Sequence, residues 1–159
     1  MGQAHRGLRD HLARSLAWGD AHVTFDAAVA GLPPRLRGVV PPGLPHSAWQ
    51  LVEHIRLAQA DILEFGVSRR YREKQWPADY WPRSAAPPRR DAWMRAIAAV
   101  RRDRRALERL VRDSSIDLEA GVPSDPDKTF LREVLLLADH TAYHVGQLIL
   151  VRRALGAWT

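Results

Sequence analysis

The stretch ADHTAYHVGQLIL, residues 138–150, sets His140 and His144 one helical turn apart in otherwise core-like sequence. Residues four apart on a helix differ by roughly 40° around the axis and about 6 Å along it. The two imidazoles therefore project side by side. A His-x-x-x-His pair on a helix can offer two nitrogens to one metal ion. In the zincin version of that motif an acid directly follows the first histidine. Thr141 takes that place here, which argues against a zincin-type peptidase. A second reading stays open. Buried imidazoles need partners, because an unsatisfied polar group costs roughly 1–3 kcal/mol. A carboxylate, a carbonyl or water meets that need as well as a metal does.

A third ligand would favour the metal. His54 is the best candidate, at the edge of an apolar helical face beside Ala58 and Phe65, with a half-exposed boundary histidine as the plainer reading. Asp61 shares the His54 side two turns on and can orient a ligand, or simply face water. Glu133 shares the His140 side two turns earlier and reads as a surface acid. Gln147 follows His144 by three residues and can donate to a bound ligand or make an interhelical hydrogen bond. His22 pairs with Asp26 at i, i+4, most simply on the surface. His46 belongs to a connector, and His5 and His11 face solvent. No separate general base stands out, so no catalytic residue is assigned.

Four long helical patterns must position these groups, and no strand pattern is convincing. The first runs over about residues 3–30, with Leu8, Leu12, Leu16, Val23 and Ala27 as its stripe. Gly31 and Leu32-Pro33-Pro34 stop it. A Pro- and Gly-punctuated connector follows, whose Leu32, Leu36, Val39 and Val40 pack over the body. The second helix starts at the capping box Ser47-Ala48-Trp49-Gln50. Its face is Ala48, Leu51, Val52, Ile55, Ala58 and Ile62, extended by Phe65, with Gly66 as its end. Residues 67–90 hold Trp76, Tyr80 and Trp81 beside Pro77 and Pro82, so this long segment is a loop packed on the body. The third helix spans about 92–113, with Asp91 as N-cap and Trp93, Ile97, Val100, Leu107 and Val111 inward. The fourth spans about 130–155, capped by Thr129 and stopped at Gly156. Leu131, Val134, Leu135, Ala138, Val145 and Ile149 form its main apolar face. His140 and His144 lie off that face, next to Leu137 and Val151. The expected architecture is all-α: one four-helix-bundle domain over residues 1–159 with long connectors.

Composition narrows the chemistry. The chain has 159 residues, 46% hydrophobic and 26% charged, within the ordinary range of a globular domain. It has no cysteine, which excludes a disulfide framework, a thiolate metal site and a cysteine nucleophile. Any metal must rely on His, Asp and Glu. No apolar run approaches the roughly 20 residues of a membrane span; the candidate around Leu135–Leu137 is broken by Asp139 and His140. The N-terminal residues lack the apolar stretch of a secretory signal, and Arg6 argues against myristoylation after Met-Gly. A cytoplasmic location is expected, with no membrane partner. The net charge is +6. RRDRRALERLVRD, residues 101–113, reads as the solvated face of an amphipathic helix. No groove-reading motif is recognisable, so nucleic acid is not an expected partner.

SAWQLVEHIRLAQADILEF, followed far downstream by LREVLLLADHTAYHVGQLILVRRALG, resembles the DinB-like superfamily of bacterial proteins. WPADYWP and AHVTFDAAVAGLPPRLRG are similar to one of its branches. DHTAYHVGQL, residues 139–148, is the most specific part, with Glu53-His54 second. The resemblance implies an up-down-down-up four-helix bundle, often a homodimer. It implies a divalent-metal site of three histidines, one from the second helix and two from the fourth. Here these are His54, His140 and His144, all present. Nickel, zinc, iron and manganese are all reasonable occupants, since three neutral imidazoles select weakly among them. Three protein ligands leave coordination positions open. Some relatives resemble thiol-dependent transferases and isomerases that activate a low-molecular-weight thiol as a metal-bound thiolate; others resemble hydrolases. The resemblance thus implies a metal-dependent thiol transferase or hydrolase acting on a small molecule. The alternative is a non-catalytic stress-response binding protein on the same fold.

Overall fold

The computed structural model describes residues 3–17 and 19–158, with side chains from Arg6 onward. The chain is mostly helical. Its described elements are α1 (Gln3–Ser15), α2 (Phe25–Val29), α3 (Ala48–Val67), α4 (Ala92–Arg112), a small hairpin of β1 (Gly121–Val122) and β2 (Asp125–Thr129), and α5 (Phe130–Ala154). Four of these helices are long. Helix α3 packs against α4 and α5, and α1 packs against α4.

The expected first helix is two helices. Thr24 accepts a hydrogen bond from the Ala27 backbone N–H and so begins α2 anew. Of the expected stripe, Leu12 and Leu16 are buried, whereas Leu8 and Val23 are exposed. His22 is exposed in the turn before α2, where its Nδ1 bonds to the Val23 carbonyl. Asp26 does not pair with it; Arg101 and Arg104 of α4 hold that carboxylate instead. Burial is the largest single influence on its pKa and raises it, but the two arginines together outweigh it and hold the pKa below the usual carboxylate value. His11 is exposed, as expected. The side chain of His5 lies outside the described residues.

The other helices follow their patterns closely. Ser47 and Gln50 form the reciprocal capping box of α3, and the six expected apolar residues of its face are all buried. The helix runs one residue past Gly66, whose missing side chain admits the Phe130 ring; a Cβ there would sit 3.0 Å from it. All five stripe residues of α4 are buried, but Asp91 makes no side-chain cap and pairs with Arg95. Thr129 caps α5 through the Arg132 N–H, and Gly156 ends it at φ +65°. In the connector after Gly31, Leu32 is buried, while Val39 and Val40 are exposed. The hairpin was not expected. It is short, contains Pro126, and joins Gly121 to Thr129 and Val122 to Asp125.

Apolar side chains gather in two clusters. One is built on Trp49, Leu51, Ile55, Trp93, Ile97, Val145 and Leu148. The other holds Leu12, Ile62, Leu107, Val111, Phe130, Val134 and Leu137. The inward face of α5 is rotated from the expected one: Leu135 is exposed, whereas Leu137, His144, Leu148 and Val151 are buried. By length and composition α5 could cross a membrane, contrary to expectation. Its packing against α2, α3 and β2, and its buried Glu133 and Arg152, are those of a core helix.

Candidate metal centre

Along α5 the second cluster ends at Leu137 and the first begins at Val145. His140 and His144 occupy that gap. Opposite them on α3, His54 adjoins Ile55, after which the first cluster contributes nothing more from this helix until Ile62 opens the second. Helices α3 and α5 run antiparallel here, since Gly66 meets Phe130 while His54 meets His140 and His144. A polar layer between two apolar cores thus holds three imidazoles. His54 is 1% exposed and His144 7%, with His140 half-buried.

The three Nε2 atoms converge. His54 Nε2 lies 3.1 Å from His144 Nε2 and 3.0 Å from His140 Nε2. Nitrogens bound to one ion at roughly 2.0–2.1 Å, between a right angle and a tetrahedral angle apart, sit about 2.8–3.4 Å from each other. The donor set also fits. His54 Nδ1 is 2.8 Å from the Tyr80 carbonyl, which can only accept, so this nitrogen carries the proton. His144 Nδ1–H likewise donates to Gln147 Oε1 at 2.7 Å. Both rings therefore turn Nε2 lone pairs toward each other. Two acceptors at 3.1 Å cannot satisfy one another, whereas a shared cation would satisfy both.

Electrostatics keep the donors available. Burial lowers the His54 pKa. Burial, reinforced by the neighbouring histidines, lowers His140 to about 4. His144 is lowered to about 4 chiefly by burial, which outweighs the opposing hydrogen bond to Gln147. At neutral pH these rings are uncharged, as metal binding requires. His140 Nδ1 is buried without a hydrogen-bond partner.

Some supporting contacts had no sequence signal, and others resolve alternatives left open above. Trp81 stacks flat on His54, with centroids 3.9 Å apart and planes within 3°. It also stacks on His46 at 4.0 Å, so the connector histidine is part of the wall. Gln147 orients His144 within its own helix and, among the described residues, makes no interhelical bond. Asp61 is not solvated: it is 7% exposed and receives hydrogen bonds from Lys74, Tyr71 and Tyr80. Glu133, expected at the surface, is 2% exposed and pairs with Arg132. The Trp-Pro-rich sequence of 76–82 signalled packing on the body, but not which carbonyl or ring would meet His54.

Comparison with curated proteins and with solved structures gives no match. The family model described as the DinB superfamily matches residues 17–148, which include all three histidines and the helices α3, α4 and most of α5. The quoted motifs, the mostly helical fold and that match over most of the sequence agree, and the chain belongs to the DinB superfamily.

Proposed function

We propose that this chain is a divalent-metal protein whose centre is His54, His140 and His144, open to a small-molecule substrate. One observation carries the reading: three buried or half-buried imidazoles from two helices bring ligand atoms together, with two Nδ1 protons tied away from the centre. Zinc, nickel, iron or manganese would suit three neutral nitrogens. Such an ion supplies a Lewis acid that lowers the pKa of a thiol or water placed beside it. The protein's own part is to hold the three rings, exclude bulk water with Trp81, and leave access on the His140 side. Thiol transfer or hydrolysis is the reaction class proposed. Contacts also support the up-down-down-up bundle. Arg112 faces Asp10 while Arg14 and Glu108 line one cavity, so α1 and α4 are antiparallel. Trp49 shares a cavity with Ala92 and Ala96, and Gln59 bonds to Val100, so α3 and α4 are parallel. A cytoplasmic homodimer built from residues 1–159 as one domain completes the proposal.

Metal analysis of purified protein tests it. Wild type is expected to bind about one equivalent of metal, and His54→Ala, His140→Ala and His144→Ala to lose it. Wild-type metal content in all three folded variants would refute the centre. A panel of thiol acceptors and esters then tests turnover. Metal binding without turnover would assign the centre to binding alone, as in a stress-response protein.

A further inference from the structure

Among the buried polar side chains of helix α3, His54 and Asp61 stand seven residues apart. They are joined through the loop that follows the helix. Asp61 Oδ2 accepts the Tyr80 hydroxyl at 2.5 Å and the Tyr71 hydroxyl at 3.3 Å. Its Oδ1 accepts Lys74 Nζ at 2.6 Å. Burial and this carboxylate push the pKa of Tyr80 well above the usual phenol value, so the hydroxyl stays a donor. The backbone carbonyl of the same Tyr80 accepts the His54 Nδ1–H at 2.8 Å. One residue is therefore held at its side chain by Asp61 and holds His54 with its main chain.

Residue 80 lies in no helix or strand. Its N–H bonds to the Pro77 carbonyl, a turn internal to the loop. That turn does not anchor the loop to α3; the Asp61 carboxylate does so at Tyr80 itself, beside the stacking of Trp81 on His54 and the Ser47 Oγ bond to the Ala85 carbonyl. The carbonyl that meets a metal-binding histidine fixes which nitrogen is protonated and where the other points. We infer that Asp61 is a positioning residue for the metal centre. By tethering Tyr80 it sets the Tyr80 carbonyl on His54 Nδ1 and aims His54 Nε2 at the point shared with His140 and His144. This rests on the three-histidine reading and adds a residue that touches none of the three.

The test is zinc affinity, measured by competition with a chromophoric chelator on metal-stripped protein, beside urea unfolding of the metal-free form. Asp61→Ala and Tyr80→Phe are each expected to weaken zinc binding about tenfold or more. Because they act as one unit, the double variant should lose no more than the larger single loss. Asp61→Asn keeps an oxygen acceptor for Tyr80 and should recover much of the loss. Tyr71→Phe removes a neighbour of the Tyr80 hydroxyl but leaves the Tyr80–Asp61 bond, and should stay within about twofold of wild type. If Asp61→Ala fails to fold, Tyr80→Phe removes only a hydroxyl and carries the test. Lower stability with unchanged zinc affinity would make Asp61 a loop latch only and overturn the inference, as would fully additive losses. Unchanged affinity in His54→Ala would instead overturn the metal centre itself.

Discussion

Acidifying the metal-free protein should unfold it through its own histidines, by an amount the structure sets. Burial, with repulsion from neighbouring imidazoles as the smaller cause, places His140 and His144 at about 4 when folded. In the unfolded chain each titrates near 6.5. Between those values the unfolded state binds more protons, so stability falls as pH drops through this window. It is unaffected by these rings well above 6.5. At pH 5 one such ring costs about 2 kcal/mol, and two titrating independently cost about 4 kcal/mol. Urea unfolding in the presence of chelator, at pH 7 and at pH 5, gives the loss directly. His140→Leu removes one ring and should recover about 2 kcal/mol of the pH 5 deficit. Other groups titrate in both proteins and cancel in the comparison. If the variant keeps the whole wild-type deficit, these rings are not the uncharged, desolvated pair described above. Restoring zinc should steepen the wild-type loss, because protons then compete with the ion for the same nitrogens.

Three further perturbations probe the surroundings. Gln147→Leu removes the acceptor of His144 Nδ1–H and should weaken zinc binding about tenfold, read by chelator competition, with the helix intact. Arg152→Met strips a buried guanidinium from the Ala28, Ala30 and Ala157 carbonyls, and should cost about 2–4 kcal/mol in urea unfolding. Ser47→Ala breaks the α3 capping box and the bond from Ser47 Oγ to the Ala85 carbonyl. It should cost about 1–2 kcal/mol by the same measurement.

The elements most readable from sequence were those whose signals are local. Ser47 and Gln50 cap α3 across three residues, and the 3.6-residue stripes of α3 and α4 name their buried residues directly. The break in the first helix had a local signal too, the Thr24 cap, but the spacing of Leu16, Val23 and Ala27 ran across it. The hairpin had almost none, since two short strands with a proline carry no alternation to read. Burial of charge was misread for a different reason. Asp61 looks like a solvated acid because nothing near it in sequence neutralises it, whereas Glu133 has its partner Arg132 beside it and gives no local sign that its side of α5 turns inward. The Asp61 partners Lys74 and Tyr80 come 13 and 19 residues later, through an irregular loop. Three histidines could be named because the i, i+4 pair on α5 and His54 on α3 coincide with the three-histidine pattern of the family resemblance. The groups that aim His54 and His144 are a backbone carbonyl and an amide, and a carbonyl has no signature at all.

That asymmetry explains how a core helix can tolerate the site. A charged layer between two apolar clusters would be costly, because desolvating an ion costs several kcal/mol. Neutral imidazoles avoid most of that cost, provided each ring finds a partner for one nitrogen. Tyr80 and Gln147 supply it for His54 and His144, through a loop carbonyl and a residue three further along α5. That leaves the Nε2 atoms of these two rings as acceptors 3.1 Å apart, and two acceptors cannot satisfy one another; His140, whose Nδ1 is not tied, is the one ring free to turn either a proton or a lone pair to that point. The hydrogen bonds that let the rings sit in the core are the same ones that leave their lone pairs facing a common point. Packing and metal affinity are therefore two consequences of one arrangement, and a substitution that loosens either Nδ1 contact should weaken both.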